Sequence, residues 1–253
     1  MANFTFWHYL AIFLLGIAAS IINITAAGGS NLTLPLMMAF GVPPDIANGS
    51  NRVGIFLQSL TGLRGFAKAG KMPTADLRGI LLPTLAGGLL GALSAAFLPN
   101  SLLKPLLLGA MLAVAALMAF KPNLLLAGES RQAKTVKETP QAAAWLFAAG
   151  MYGGFVQAGV GFLMLPILVG LLHYDLVRGN ALKIACTLCF TTVALTVFLA
   201  NGQIWWGIAL SLAAGNIIGA QLGVKLALSI PAERMRWLLF AMTLAAVVMA
   251  FLK

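Results

Sequence analysis

Long apolar stretches separated by short polar links run the length of the chain. They cover residues 4–41, 47–66, 77–98, 102–120, 141–172, 177–200, 204–229 and 233–252. Wound as helices at about 1.5 Å per residue, stretches of this length reach across the roughly 30 Å hydrocarbon core of a bilayer. Two of them are interrupted. Ala27-Gly28-Gly29-Ser30-Asn31-Leu32-Thr33-Leu34-Pro35 cuts the first, and Gly159-Val160-Gly161-Phe162-Leu163-Met164-Leu165-Pro166 cuts the fifth. Glycine and proline loosen helical hydrogen bonding, and lipid cannot satisfy the backbone groups so freed. The pattern therefore predicts ten helical segments, with two breaks facing a protein-lined or watery cavity. A barrel would instead alternate apolar and polar residues in twos.

The second half of the chain repeats the first. Pro166 follows Pro35 by 131 positions. Phe66–Met72 answers to Phe198–Ile204, Gly87–Ala92 to Gly215–Ala220, and Leu98-Pro99 to Ile230-Pro231. Four matches in one order, at offsets of 128 to 132, indicate an internal duplication. The run Phe6–Ile22 before Ala26-Ala27 has the outline of a secretory signal. Its echo in the second half argues that it belongs to the folded protein.

Composition and charge sharpen this picture. The chain is 60% hydrophobic and 9% charged, with a mean hydropathy of +0.95, far from the roughly 25% charge of soluble domains. If each interrupted segment enters and returns on one side, three full crossings remain per half and the halves are inverted. One side then collects Arg64, Lys68, Lys71, Arg78, Lys121, Arg131, Lys134, Lys137, Arg178, Lys225, Arg234 and Arg236. The other holds Lys104 and Lys253. Parallel halves would split the charges less sharply, so the positive-inside rule favours inversion. The expectation is an all-α polytopic membrane protein of two inverted repeats, each a broken, re-entrant helical hairpin plus three transmembrane helices. Residues 1–120 form the first repeat, 121–140 a cytoplasmic linker and 141–253 the second, with both termini outside. Gly87…Gly91 and Gly215…Gly219 are small-xxx-small spacings suited to helix packing.

Candidate chemistry concentrates at the breaks. Inverted repeats with discontinuous helices describe secondary transporters. Half-helix ends present free N–H groups and a positive dipole, which suits an anion. Gly28, Gly29, Gly159 and Gly161 would bring backbone to such a site, and Ser30 and Asn31 would add side-chain donors. Arg52 and Lys183 lie about five residues inside equivalent segments, 131 positions apart. With no carboxylate in either segment, a bound anion would partner each charge; the alternative is snorkelling to the interface. Asn51, Gln58 and Gln157 could line the path, as could Asn23 and Asn180, or they could bond helix to helix. All six carboxylates fall in links or at their edges, which suits anion export down an inside-negative potential better than cation coupling. An anion channel or facilitator is the alternative to a carrier; Cys186-Thr187-Leu188-Cys189 also admits a thiol–disulfide carrier, but the pair is mid-segment and no other cysteine exists to relay electrons. No nucleophile–base pair or cofactor pattern is present, and His8 and His173 stand apart, so neither an enzyme nor a metal site is expected. The scattered basic residues give no nucleic-acid surface. The expected partners are the lipid bilayer and a small anion, and a homodimer is one open assembly.

Several of these residues carry a family resemblance over nearly the whole chain. They are the break at 28–35 ending in Leu34-Pro35, the segment start Ala47-Asn48-Gly49-Ser50-Asn51, the Gly70 turn, the Gly87…Gly91 helix and their duplicates. The chain resembles the sulfite exporter TauE/SafE family of bacterial permeases. The resemblance implies export of sulfite, sulfonates or other small sulfur-containing anions across an inner membrane. The family's first half reads Gly-Thr-Ser where this chain has Gly49-Ser50-Asn51, with Arg52 directly after. That departure makes a larger organosulfonate such as sulfoacetate as plausible a substrate as sulfite.

Overall fold

The computed structural model describes residues 4–25, 29–120 and 132–229, the side chains of 115–120 excepted. Gly28, most of the polar linker and the segment at 233–252 therefore lie outside the described residues. In chain order the helices are α1 (Phe6–Thr25), α2 (Ser30–Ala39), α3 (Pro44–Lys68), α4 (Leu77–Phe97), α5 (Asn100–Phe120), α6 (Pro140–Phe155), α7 (Val160–Leu165), α8 (Leu176–Ala200) and α9 (Trp206–Ser229). A π-helical turn, Pro166–Leu171, continues α7. By length and composition α1, α4, α8 and α9 can each cross a membrane. The 25-residue α3 is less apolar because Asn48, Ser50, Asn51, Arg52, Gln58 and Ser59 all occupy its buried side.

The ends of the helices sort onto two opposite faces. On one, the Phe4 ring lies 6.4 Å from Phe40 and 4.8 Å from Trp205, and the Asp45 N–H donates to Asn100 Oδ1. Thus α2 returns to the face from which α1 set out. On the other face the Val136 N–H donates to Asp76 Oδ2, and the Lys134 N–H to the Leu172 carbonyl. The α6–α7 hairpin begins and ends there. The two hairpins enter from opposite faces of the bundle, and α3 and α8 run antiparallel between them. Among the described residues the second face carries Arg64, Lys68, Lys71, Arg78, Lys134, Lys137, Arg178 and Lys225, while the first carries Lys104.

Packing repeats between the halves with partners exchanged. α1 lies along α9, and α6 lies along α4. A Cβ built on Gly215 or Gly219 would run into the carbonyls of Phe13 and Ile17; one on Gly87 or Gly91 would meet those of Phe147 and Met151. The reverse contacts repeat too. Gly16 abuts the Leu212 carbonyl as Gly150 abuts that of Thr84. Ser20 Oγ donates to the Asn216 carbonyl at 2.7 Å, where its counterpart Gly154 presses on the Gly88 carbonyl. These glycines let backbones approach within van der Waals reach, which is the main source of helix association in lipid.

Forcing a side chain into such a contact separates the helices, and overpacking costs about 1–3 kcal/mol. Gly87→Val and Gly215→Val should each lower the melting temperature in detergent by roughly 3–10 °C. Gly109 has nothing within 4 Å of an added Cβ, so Gly109→Val is the neutral control. Equal melting of all three variants would contradict the packing account.

Candidate functional site

A helix that stops inside an apolar medium leaves its last carbonyls without donors. Here α6 ends at Phe155 in mid-protein, and Arg52 of α3 meets that end. Its Nη1 donates to the Gly153 carbonyl at 2.6 Å and to Gln157 Oε1. Its Nη2 donates to the Gly154 carbonyl at 2.7 Å, the Phe155 carbonyl at 3.3 Å and Asn48 Oδ1 at 3.2 Å. Asn48 adds a bond from Nδ2 to the Phe155 carbonyl at 2.9 Å. The cation thus sits on the negative end of the α6 dipole, and Phe198 covers it with its ring centroid 5.5 Å from Cζ.

The other hairpin is held in the same way by the other half. Lys183 Nζ donates to the Asn23 carbonyl at 2.8 Å, and Asn180 Nδ2 to the Ile24 carbonyl at 2.6 Å. Asn48 with Arg52 and Asn180 with Lys183 are repeat-equivalent pairs, 132 and 131 positions apart. Each clamps a hairpin that belongs to the opposite repeat. Arg52 is 0% and Lys183 1% exposed, so neither side chain snorkels. Both find partners in backbone carbonyls, which a survey of charged residues in the sequence does not reveal.

The turn after α6 is fastened further. Gln157 takes a left-handed φ of 70°, uncommon for a residue with a side chain. Its Oε1 accepts from Thr191 Oγ1 at 3.1 Å as well as from Arg52, and Tyr152 donates its hydroxyl to the Ala158 carbonyl at 2.6 Å. Gly159, at φ 73°, then starts α7. A Cβ there would lie 3.6 Å from the Asn31 amide, so the start of α7 adjoins the first turn of α2. Gly161 is buried one residue into α7. Gly29, before α2, lies against the Ala19 carbonyl of α1.

Around the first turn of α2 lie polar atoms that the fold leaves unused. Thr33 Oγ1 donates to Asn51 Oδ1 at 2.9 Å, bringing α3 to that turn. Ser30 Oγ, Asn31 Oδ1, Asn51 Nδ2, Arg52 Nε and both amide atoms of Gln58 are buried without a hydrogen-bond partner. A buried unsatisfied polar group costs about 1–3 kcal/mol, and Ser30 Oγ, Asn51 Nδ2 and Arg52 Nε are donors, so they call for an acceptor. Of the sequence candidates, the structure joins Ser30, Asn31, Asn51 and Gly159 around one helix start. It sets Arg52 with Gln157 on the α6 end and Lys183 on the α1 end. Gln58 lies farther along α3. Asn48, Thr33 and Thr191 were not anticipated; the 132-residue spacing of Asn48 from Asn180 was the one signal that could have found the first.

Comparison with known proteins identifies a family of membrane transporters. Residues 12–250 match the family described as sulfite exporter TauE/SafE. A probable membrane transporter protein, ORF9, of Sinorhizobium sp is 27% identical over 240 residues, covering 94% of this chain and 91% of that one. A probable membrane transporter protein of Haemophilus influenzae is 27% identical over 218 residues, 86% of this chain and 84% of its own. The probable membrane transporter protein YfcA of Escherichia coli K12 is 23% identical over the same share, with 80% of its length covered. No solved structure matches. The chain belongs to the sulfite exporter TauE/SafE family and is a multi-pass membrane transporter.

The four N–H groups on the terminal nitrogens of Arg52 serve five acceptors, one N–H being shared, where an ammonium has three N–H groups to donate. Hydrogen bonds to charged groups contribute about 1.5–3 kcal/mol each. Arg52→Lys should therefore lower the melting temperature of the ligand-free protein by roughly 5–10 °C. A variant that melts like wild type but no longer binds substrate would make Arg52 a ligand rather than a helix clamp.

Proposed function

We propose that the protein is a secondary transporter that exports small sulfur-containing anions, sulfite or short organosulfonates such as sulfoacetate, from the cytoplasm. The observation that carries this reading is the set of unused buried donors at the start of α2. Ser30 Oγ and Asn51 Nδ2 lie there beside the positive end of a helix, with the Arg52 guanidinium next along α3; among the described helices the one carboxylate is Asp45, in the first turn of α3. The ligand groups are Ser30, Asn31 and Asn51 with the backbone at Gly29, Gly159 and Gly161, and Gln58 lines the path farther along α3; Gly28, expected beside them, is outside the described residues. Arg52, Gln157 and Lys183 hold the two hairpins and add positive field. The family's description names sulfite, and the relatives' names support transport without naming a substrate.

The halves are two repeats inverted across the cytoplasmic membrane, residues 1–120 and 141–253. Hairpins entering from opposite faces and the antiparallel course of α3 and α8 support this. The basic face lies inward by the positive-inside rule, which puts residues 121–140 in the cytoplasm and both termini outside. An inside-negative potential then favours exit of a monovalent anion by about 2.3 kcal/mol per 100 mV.

Ser30 Oγ and the Gln58 amide make no bond in the ligand-free fold, so their removal separates binding from stability. Ser30→Ala and Gln58→Leu should keep the melting temperature and weaken sulfite or sulfonate binding about tenfold, measured by transport in proteoliposomes. Unchanged affinity in both variants would remove them from the site. Topology is checked with a cysteine introduced at Lys137 in a background lacking Cys186 and Cys189. It should resist membrane-impermeant reagent added outside intact cells, whereas one at Lys104 should react.

A further inference from the structure

The two repeats are kept alike where they hold backbone and differ where the hairpins meet. Asn48 and Arg52 are answered by Asn180 and Lys183, and Gly87 and Gly91 by Gly215 and Gly219. At the register of Arg52 and Lys183, 131 positions, Ser30 is answered by Gly161, Asn31 by Phe162, Thr33 by Met164 and Asn51 by Leu182. All four replacements are buried. The start of α2 is thus polar and carries unused donors; of the equivalent residues, Met164 and Leu182 belong to the apolar core around α6, and Phe162 lies beside Val114.

The polar and apolar sides meet at Gly159. A Cβ built there would stand 3.6 Å from the Asn31 amide and 2.9 Å from Val114 Cγ1. Val114 of α5 and Phe162 of α7 form a small apolar cluster with Tyr152 and Leu163. A bare oxyanion would find donors at the start of α2 and would be poorly matched by Phe162 and Val114, since an apolar surface offers a charged oxygen nothing. An anion with a hydrocarbon end satisfies both.

We infer that the site, read as above, is two-sided and selects a sulfonate bearing a short apolar substituent over sulfite itself. The sulfonate oxygens lie on Ser30 and Asn51, and the substituent on Phe162 and Val114. These last two are specificity-determining residues rather than part of the anion-binding group.

The test is competition in proteoliposomes of purified protein, with sulfite, methanesulfonate, ethanesulfonate and propanesulfonate. Affinity should rise from sulfite to ethanesulfonate, by about fourfold per carbon buried. Phe162→Asn, which copies the first repeat, should flatten the series, and Phe162→Leu should preserve it. Should Phe162→Asn fail to fold, Val114→Thr reads the same slope. Sulfite bound as tightly as ethanesulfonate, or a slope unmoved by these variants, would overturn the inference and leave sulfur-anion transport standing. Acetate, propionate and butyrate run in parallel separate the two ideas. A rising carboxylate series without transport of any sulfur anion would overturn the sulfur reading while supporting the two-sided site.

Discussion

A helix that ends inside the membrane must find donors for its last carbonyls, and this fold depends on how it does so. Arg52 and Asn48 serve α6, and Lys183 and Asn180 serve α1. Burying a cation costs several kcal/mol unless good partners replace its water. Burying a broken helix end carries a similar penalty. Placing each against the other offsets both, which is why the two buried cations and the two helix breaks occur at matching registers. Because each clamp crosses between repeats, neither half can complete its own hairpin.

The clamps also decide what is left for a ligand. With the terminal nitrogens of Arg52 committed to carbonyls, the free donors are those around the start of α2. Close helix contacts at Gly87, Gly91, Gly215 and Gly219 pair the surrounding helices, and the start of α7 adjoins the first turn of α2. The proposed site thus combines a similarly packed scaffold in the two halves with a lining that differs between them.

Much of this was legible in the sequence for a simple reason. Glycine, proline and charge are conspicuous in a chain that is otherwise apolar, so the breaks, the repeat and the pair Arg52 and Lys183 stand out. Segment limits followed closely: 77–98 is observed as Leu77–Phe97 and 177–200 as Leu176–Ala200. What the two cations touch was not legible, because backbone carbonyls carry no mark in a sequence. Nor was the pairing of α1 with α9, which connects residues about two hundred positions apart. Thr33 and Thr191 escaped notice because threonine is common in helices where its hydroxyl merely bonds the preceding turn, as Thr61 and Thr84 do here.

The most direct test is an experimental structure with 2-bromoethanesulfonate bound, its bromine located by anomalous scattering. The account predicts sulfonate oxygens at Ser30 and Asn51, bromine beside Phe162 and Val114, and Arg52 still donating to the carbonyls of Gly153 and Gly154. A guanidinium turned away from α6 onto the sulfonate would contradict it.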